Sequence, residues 1–193
     1  MIAEAPLMET DELRAQLEQL HASSFGWALA CCRRDHSDAE EALQIAYLKV
    51  LEGKARFNGS ASFKTWLFAV IRKTALDQRR KHFLRSLVML RAAEDRTAGS
   101  RVERPDESAY RSEMQAVFRS ALARLPNRQR EALQLVFYHD LSLQEAAVVM
   151  GISIGSARTH YDRGKKRLRE LLEESKELYE SEWERKANRA TVR

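Results

Sequence analysis

The side chains best placed for chemistry lie between positions 156 and 166, and that chemistry is recognition of a polyanion. Ser156, Arg158, Thr159, His160, Arg163 and Lys166 fall within eleven positions. The twelve positions from Arg158 to Arg169 hold six basic residues against Asp162 alone. An arginine can fork onto guanine O6 and N7, whereas Ser, Thr and His contact bases or phosphates less selectively. Such side chains read a sequence only when a rigid element carries them into a groove.

The preceding residues supply that element. Ser142 and Glu145 form an S-x-x-E capping box at a helix start, and Ala146, Ala147 and Met150 follow on one face. Gly151 can stop that helix in a left-handed conformation because it has no Cβ. Ser153 caps the next helix, whose inward residues are expected to be Ile154, Ala157, Tyr161 and Leu168. Two helices crossing through a tight turn, with donors on the open face of the second, make a helix-turn-helix. An ordinary helical hairpin with a solvated basic face is the alternative. Caps, turn glycine, apolar spacing and base-capable side chains together favour DNA binding.

A second basic cluster lies upstream. Arg72, Lys73, Arg79, Arg80, Lys81 and Arg85 face only Asp77 across fourteen positions. The chain has 193 residues and a net charge of +5, so its modest excess is concentrated in two patches suited to a polyanion touched twice. Apolar residues make up 44%, sufficient for a packed core, while seven glycines and three prolines disfavour turn-dense β architecture. No apolar run approaches the roughly twenty residues of a membrane span, and MIAEAPLMETDEL lacks a signal-peptide core, so a cytoplasmic, nucleoid-associated location is expected. Cys31 and Cys32 are adjacent and, with His36, form no convincing tetrahedral site; reduced thiols are expected, with neither metal nor cofactor. Five dispersed histidines, with no phosphate loop and no nucleophile motif, argue against an enzyme.

Helical periodicity dominates the rest. Helices are expected from about Glu12 to Arg33; from a Ser37–Glu40 capping box to Gly53, burying Ala39, Ala42, Leu43, Ala46, Tyr47, Val50 and Leu51; and from Phe63 through Arg80 or as far as Leu90, with Trp66, Leu67, Val70, Ile71 and Ala75 inward. Positions 56–62 have loop chemistry. Positions 93–109 read as a linker broken by Gly99, Ser100 and Pro105. Periodicity resumes through Met114, Phe118 and Leu122, and Pro126 is expected in the first turn of a helix that buries Leu133, Val136 and Phe137. The apolar stripe runs on through Leu172, Tyr179 and Trp183 into an acidic extension. The expected fold is all-α: two small helical domains joined by a flexible linker, the C-terminal one a helix-turn-helix.

These segments resemble the extracytoplasmic-function (ECF) sigma factors, the two-domain promoter-recognition subunits of bacterial RNA polymerase. ALARLPNRQREALQLVFYHDLSLQEAAVVMGIS and SIGSARTHYDRGKKRLREL resemble their C-terminal domain; DAEEALQIAYLKVL and FKTWLFAVIRKTALDQRR, with Thr65-Trp66-Leu67 and Asp77, resemble their N-terminal domain. The resemblance implies a region 2-like domain at 10–92, the linker at 93–109, a region 4-like domain at 110–172 and a charged extension at 173–193. It implies that Asp38, Glu40, Glu41, Gln44 and Lys49 meet the polymerase clamp, and that the flap is a further contact. It implies that Arg56, Phe57, Asn58, Ser60, Ser62 and Phe63 capture an unstacked base of the −10 element, with Arg72, Lys73, Arg79 and Arg80 on its phosphates. It assigns Ser156, Arg158, Thr159, His160 and Arg163 to the −35 element, with Lys166, Arg128 and Arg130 gripping phosphates. The chain departs from the family at Ile45, where an acid is usual, and at Lys73, where Asn is common. It also carries Ala146, Ala157 and Tyr161 in place of aliphatics.

The leading reading is thus a sigma factor that recruits polymerase core and opens a subset of promoters. The alternative is a stand-alone helix-turn-helix regulator, which would have no need of the DAEEALQ and Thr65-Trp66-Leu67 helices. The mode of regulation stays open among an anti-sigma factor, the C-terminal tail, phosphorylation and expression level.

Overall fold

The computed structural model describes residues 10–92 and 109–191, and side chains within 11–85 and 116–175. Among these residues every regular element is helical: α1 (Thr10–Gln19), α2 (His21–Cys31), α3 (His36–Leu51), α4 (Phe63–Ala92), α5 (Ala109–Ala123), α6 (Asn127–Phe137), α7 (Leu143–Met150) and α8 (Ile154–Thr191). The expected linker lies almost wholly outside the described residues, as do the side chains of Met114, Tyr179 and Trp183.

Local chemistry explains the helix ends. The Ser142 capping box forms as expected: Ser142 Oγ accepts from Glu145 N, and the Glu145 carboxylate accepts from Ser142 N at 2.9 Å. Gly151 closes α7 at φ 63°, and Ser153 Oγ caps α8 by accepting from Ser156 N at 3.1 Å. At α3 the cap is Asp35, whose carboxylate accepts from Asp38 N at 2.9 Å, and not the expected Ser37–Glu40 box. The difference arises one turn earlier. Arg33 and Arg34 both take positive φ, 55° and 67°, so the reversal ends at Asp35 and Ser37 already lies inside the helix. The expected single first helix is instead two, because the backbone changes course at Leu20 (φ −92°, ψ 0°). Pro126 stands just before α6 as its N-cap.

In the first half α2, α3 and α4 pack mutually, and in the second α6, α7 and α8 do the same with α5 against α8. Gly164 lets α6 and α8 approach closely, since a Cβ there would sit 3.2 Å from the Gln129 backbone oxygen. The halves then join. α4 packs on α7 and α2 meets α6, so one core runs from Trp27, Leu67, Phe68 and Ile71 into Leu135, Leu141, Val149 and Met150. A smaller cluster under α5 holds Leu122, Leu125, Leu133 and Leu171. Leu51, Phe137 and Ile154, expected inward, are exposed. Leu51 and Ile154 end their helices, and Phe137 lies on the surface, stacked on Tyr161.

His139 is the wedge between the halves. Its ring stands edge-on to Trp27 and Phe68, at centroid distances of 5.7 and 4.9 Å, and those two rings stack on each other. Burial, and then the Lys64 ammonium, push its pKa from 6.5 down to about 4, so the folded protein holds it neutral near pH 7. The unfolded chain protonates this histidine near pH 6.5. Between about 6.5 and 4 the unfolded state therefore carries the extra proton, and stability falls as pH falls through that window. His139→Leu is expected to flatten this part of the stability–pH curve, read from urea midpoints across the window; an unchanged slope would place the proton uptake elsewhere.

Candidate nucleic-acid interface

α8 begins as a helix pinned on one side and open on the other. Ala157 is buried and Tyr161 half-buried, while Ser156, Arg158, Thr159, Arg163 and Lys166 are exposed and His160 is half-buried. Positions 156, 159, 163 and 166 share one face by helical spacing. Ser156 Oγ lies 2.9 Å from Ser153 Oγ, and Thr159 Oγ1 donates to Gly155 O at 2.9 Å, so both hydroxyls are held by their own helix. Among the described residues neither Arg158 nor Arg163 pairs with a carboxylate, whereas Arg167 is tied to Glu170 at 2.9 Å. Lys165 sits over the Tyr161 ring, 5.1 Å from its centroid. The cations left available to an anionic ligand are those facing outward.

Two other expected phosphate contacts stand apart from this face. Arg128 donates to Met150 O at 3.1 Å and pairs with Glu131 at 3.4 Å, which braces α6 against the end of α7. Arg130 lines a cleft between α2 and α5–α6, donating to Ala123 O and Asn127 Oδ1. Burial, and then the nearby Arg33, lower its pKa.

The loop before α4 is organised by its own polar atoms. Asn58 Oδ1 accepts from Ser60 N at 3.1 Å and Ser60 Oγ at 2.7 Å, which leaves the Asn58 amide nitrogen as the outward donor. Arg56 Nε donates back to Gly53 O at 3.3 Å. Phe57, Phe63 and Trp66 form a triangle of rings with centroids 5.3–5.5 Å apart. Trp66, expected on the inward stripe, is half-buried: it packs on the core and completes this triangle. Aromatic rings and an exposed amide are side chains that can stack on and hydrogen-bond an unstacked base.

Ser62 and Arg72 are differently employed. Ser62 Oγ accepts from Thr65 N at 3.2 Å and starts α4. Arg72, expected on phosphate, is only 8% exposed and pairs with Glu131 on α6 at 3.1 Å. Lys73, Arg79 and Arg80 are exposed along α4.

On α3, Glu40, Glu41 and Gln44 are exposed and Asp38 is half-buried. Lys49 is not part of that surface; its ammonium donates to Thr74 Oγ1 at 3.0 Å and joins α3 to α4. Sequence reasoning missed Leu48, which is 54% exposed. It shares one face with Glu41, Gln44 and Leu51 by their spacing of three and seven, a mixed polar and apolar strip of the kind that protein partners cover. The thiol of Cys32 is pushed up to about 11 by burial and then by Asp38, and burial raises that of Cys31 as well. Both therefore stay protonated near pH 7, the state least suited to metal binding.

Residues 18–83 match the family model of Sigma-70 region 2, and residues 115–168 that of Sigma-70, region 4. The ECF RNA polymerase sigma factor SigX of Bacillus subtilis (strain 168) is 32% identical over 165 residues, covering 83% of this chain and 85% of SigX. The chain is an ECF sigma factor. The RNA polymerase sigma factor CarQ of Myxococcus xanthus is also 32% identical, across 80% of this chain and 86% of CarQ. The fold is shared with the sigma factor RpoE of Bartonella quintana, solved in complex with the anti-sigma factor NepR (TM-score 0.64, 23% identity, 84% of this chain and 98% of that one). It is shared too with CnrH, solved with the cytosolic domain of CnrY (TM-score 0.60, 19% identity, 86% and 90% covered). A sigma factor binds polymerase core and directs promoter-specific initiation. The match to both regions excludes the stand-alone regulator. Among the described residues no helix is long and apolar enough to cross a membrane.

If Arg158 and Arg163 each fork onto a base, Arg158→Ala or Arg163→Ala costs about 1–3 kcal/mol at the preferred −35 sequence and relaxes preference at one position. Competition binding against −35 sequence variants measures this; equal loss on every sequence would reassign that residue to phosphate.

Proposed function

We propose that this sigma factor divides promoter recognition between its two basic faces and gives α3 to polymerase. Ser156, Arg158, Thr159, His160, Arg163 and Lys166 take the −35 element. The loop residues Arg56, Phe57, Asn58 and Ser60, with Ser62 and Phe63, take an unstacked base of the −10 element, and Lys73, Arg79 and Arg80 guide the separated strand. Asp38, Glu40, Glu41, Gln44, Leu48 and Leu51 meet the clamp. The observation that carries this reading is the loop before α4, where exposed Asn58, its Oδ1 held by Ser60, follows Phe57, one of three aromatic rings in mutual contact. A protein that only docked on duplex DNA would have less use for aromatic side chains at such a loop.

On this reading 10–92 and 110–172 act as the two DNA-engaging units. The protein supplies no catalytic group, and RNA synthesis belongs to polymerase. It works in the cytoplasm, at the nucleoid. An anti-sigma protein is a further partner, since RpoE of Bartonella quintana was solved with one.

The purified chain is expected to co-elute with bacterial polymerase core, and Leu48→Glu with Gln44→Ala to abolish co-elution while leaving the thermal melt unchanged. Persistence of the complex would remove the α3 face from the clamp contact. Asn58→Ala is expected to slow promoter opening, seen as weaker permanganate reactivity of −10 thymines, with little change in initial binding. Full reactivity would take the loop out of the melting step.

A further inference from the structure

A cleft of about 1400 Å³ opens between α2 of the first half and α5–α6 of the second. Five arginines line it (Arg33, Arg34, Arg119, Arg124 and Arg130), and among the described residues its lining holds no aspartate or glutamate. Arg124 meets Glu174 at 3.2 Å at the rim. Deeper in, among the described residues, Arg130 donates to neutral acceptors, Ala123 O at 3.3 Å and Asn127 Oδ1 at 2.8 Å. Burial, and then the neighbouring Arg33, lower its pKa, so the two guanidinium groups repel each other in the cleft. Glu131, the next residue, is spent on Arg72 and Arg128. Arg33 and Arg34 also hold positive φ, 55° and 67°, where a turn by itself would favour glycine or asparagine. Their guanidinium groups therefore need a reason that the turn does not supply. α6 starts at the same cleft, with Pro126 as its N-cap and no side chain capping it among the described residues.

The rest of the lining is apolar or aromatic and carries one unspent acceptor. Tyr138 is 58% exposed, its ring 6.4 Å from that of Phe118, and both line the cleft. Gln134 Oε1 is buried with no hydrogen-bond partner among the described residues. Gln134 lies between Arg130 and Tyr138 on one face of α6, four positions from each. A buried acceptor left unpaired is costly. A ligand that satisfied this strip would bring several negative charges at one end and a flat ring with an N–H donor at the other. We propose that the cleft binds a nucleoside polyphosphate, its phosphates held by Arg33 and Arg130 and its base laid on Tyr138 with an amino group donating to Gln134. Forked guanidinium donors match phosphate oxygens in charge and geometry, and an aromatic face takes a base by stacking. Small-ligand pockets enclose about 300–1,000 Å³, so the cleft has room for the nucleotide and the water around its phosphates. None of the residues proposed for DNA or polymerase lines it. A ligand that binds only the folded chain stabilises it, and this one joins α2 to α6.

Isothermal titration calorimetry on the full chain, at constant ionic strength and without divalent cations, tests this with ATP, GTP, adenosine and inorganic tripolyphosphate. At least one of the two nucleotides is expected to bind at a single site, about tenfold or more tighter than tripolyphosphate, and adenosine not to bind. Arg33→Gly and Arg130→Gln should each weaken that nucleotide about tenfold or more. Glycine suits the left-handed backbone at position 33, so the first of these variants keeps the fold. Tyr138→Ala should cut the nucleotide's advantage over tripolyphosphate and leave tripolyphosphate itself unchanged. The nucleotide should also raise the melting temperature of the parent chain and not that of Arg33→Gly. No saturable binding, or binding that Arg33→Gly and Arg130→Gln leave unchanged, overturns the site. Binding lost in the Arg158→Ala, Arg163→Ala double variant overturns it too, by moving the anion to the open face of α8. Equal affinity for nucleotide and tripolyphosphate overturns the base seat and makes the occupant an inorganic oligophosphate.

Discussion

One carboxylate, that of Glu145, organises two helix starts at once. Its Oε2 accepts from the backbone and hydroxyl of Ser142 and completes the cap of α7. Its Oε1 accepts from Thr65 and Ser62 at the start of α4. Backbone amides left unpaired at a helix N-terminus carry partial positive charge, so an anion shared between two such ends is favoured at both. The Ser142 backbone bond, then the Ser142 hydroxyl, hold the Glu145 pKa below its ordinary value, with Thr65 and Ser62 contributing further and partial burial opposing. The carboxylate is thus ionised throughout the neutral range. The recognition helix follows directly from this arrangement, because α7 sets the plane from which α8 departs through Gly151. The loop at positions 56–62 leads into the other helix held by the same group.

The shared core gives this junction its character. Leu67, Phe68 and Ile71 of α4 meet Leu141, Val149 and Met150 of the second half, so the halves are not two beads on a tether. Parting them returns apolar area to water at about 25 cal/mol per Å². Apolar burial sets how strongly the halves adhere, while the polar ties at its edge set their register, since Glu131, Glu145 and the His139 carbonyl each meet a particular donor.

What was legible in the residues was whatever closes within a few positions. Ser142 with Glu145, Gly151 and Ser153 each found their partners three or four residues away, and the helix-turn-helix could be read from them. The α3 cap could not, because choosing Asp35 over Ser37 requires the left-handed pair Arg33–Arg34, and bulky arginines carry no signal for positive φ. Arg72 was read with Lys73, Arg79 and Arg80 because they form one basic cluster in the sequence and match the family's strand-holding segment. Only Arg72 meets the other half, and nothing within its helix says so. Leu51 was expected inward because an apolar residue on a helix suggests burial, yet it closes α3 and is exposed, as is Leu48 one turn before it. Trp27, Phe68 and His139 come from three separate segments, and their meeting is a property of the packing alone.

The choice of an ion pair at the closing edge has a chemical consequence. A buried pair is rarely more stabilising than apolar residues of the same volume, because both charges must be desolvated. An apolar pair at positions 72 and 131 would close the halves at least as firmly. It would not fix the register as the pair does, since Arg72 reaches Glu131 Oε2 from both Nε and Nη2. A guanidinium is different, since the donors it offers to a carboxylate match those needed by a phosphate in charge and geometry. Arg72 spends those donors on Glu131 within the protein, whereas Lys73, Arg79 and Arg80 stay exposed along the same helix. A residue that reads as a DNA contact is therefore found buried against Glu131, because carboxylate and phosphate ask for the same side chain.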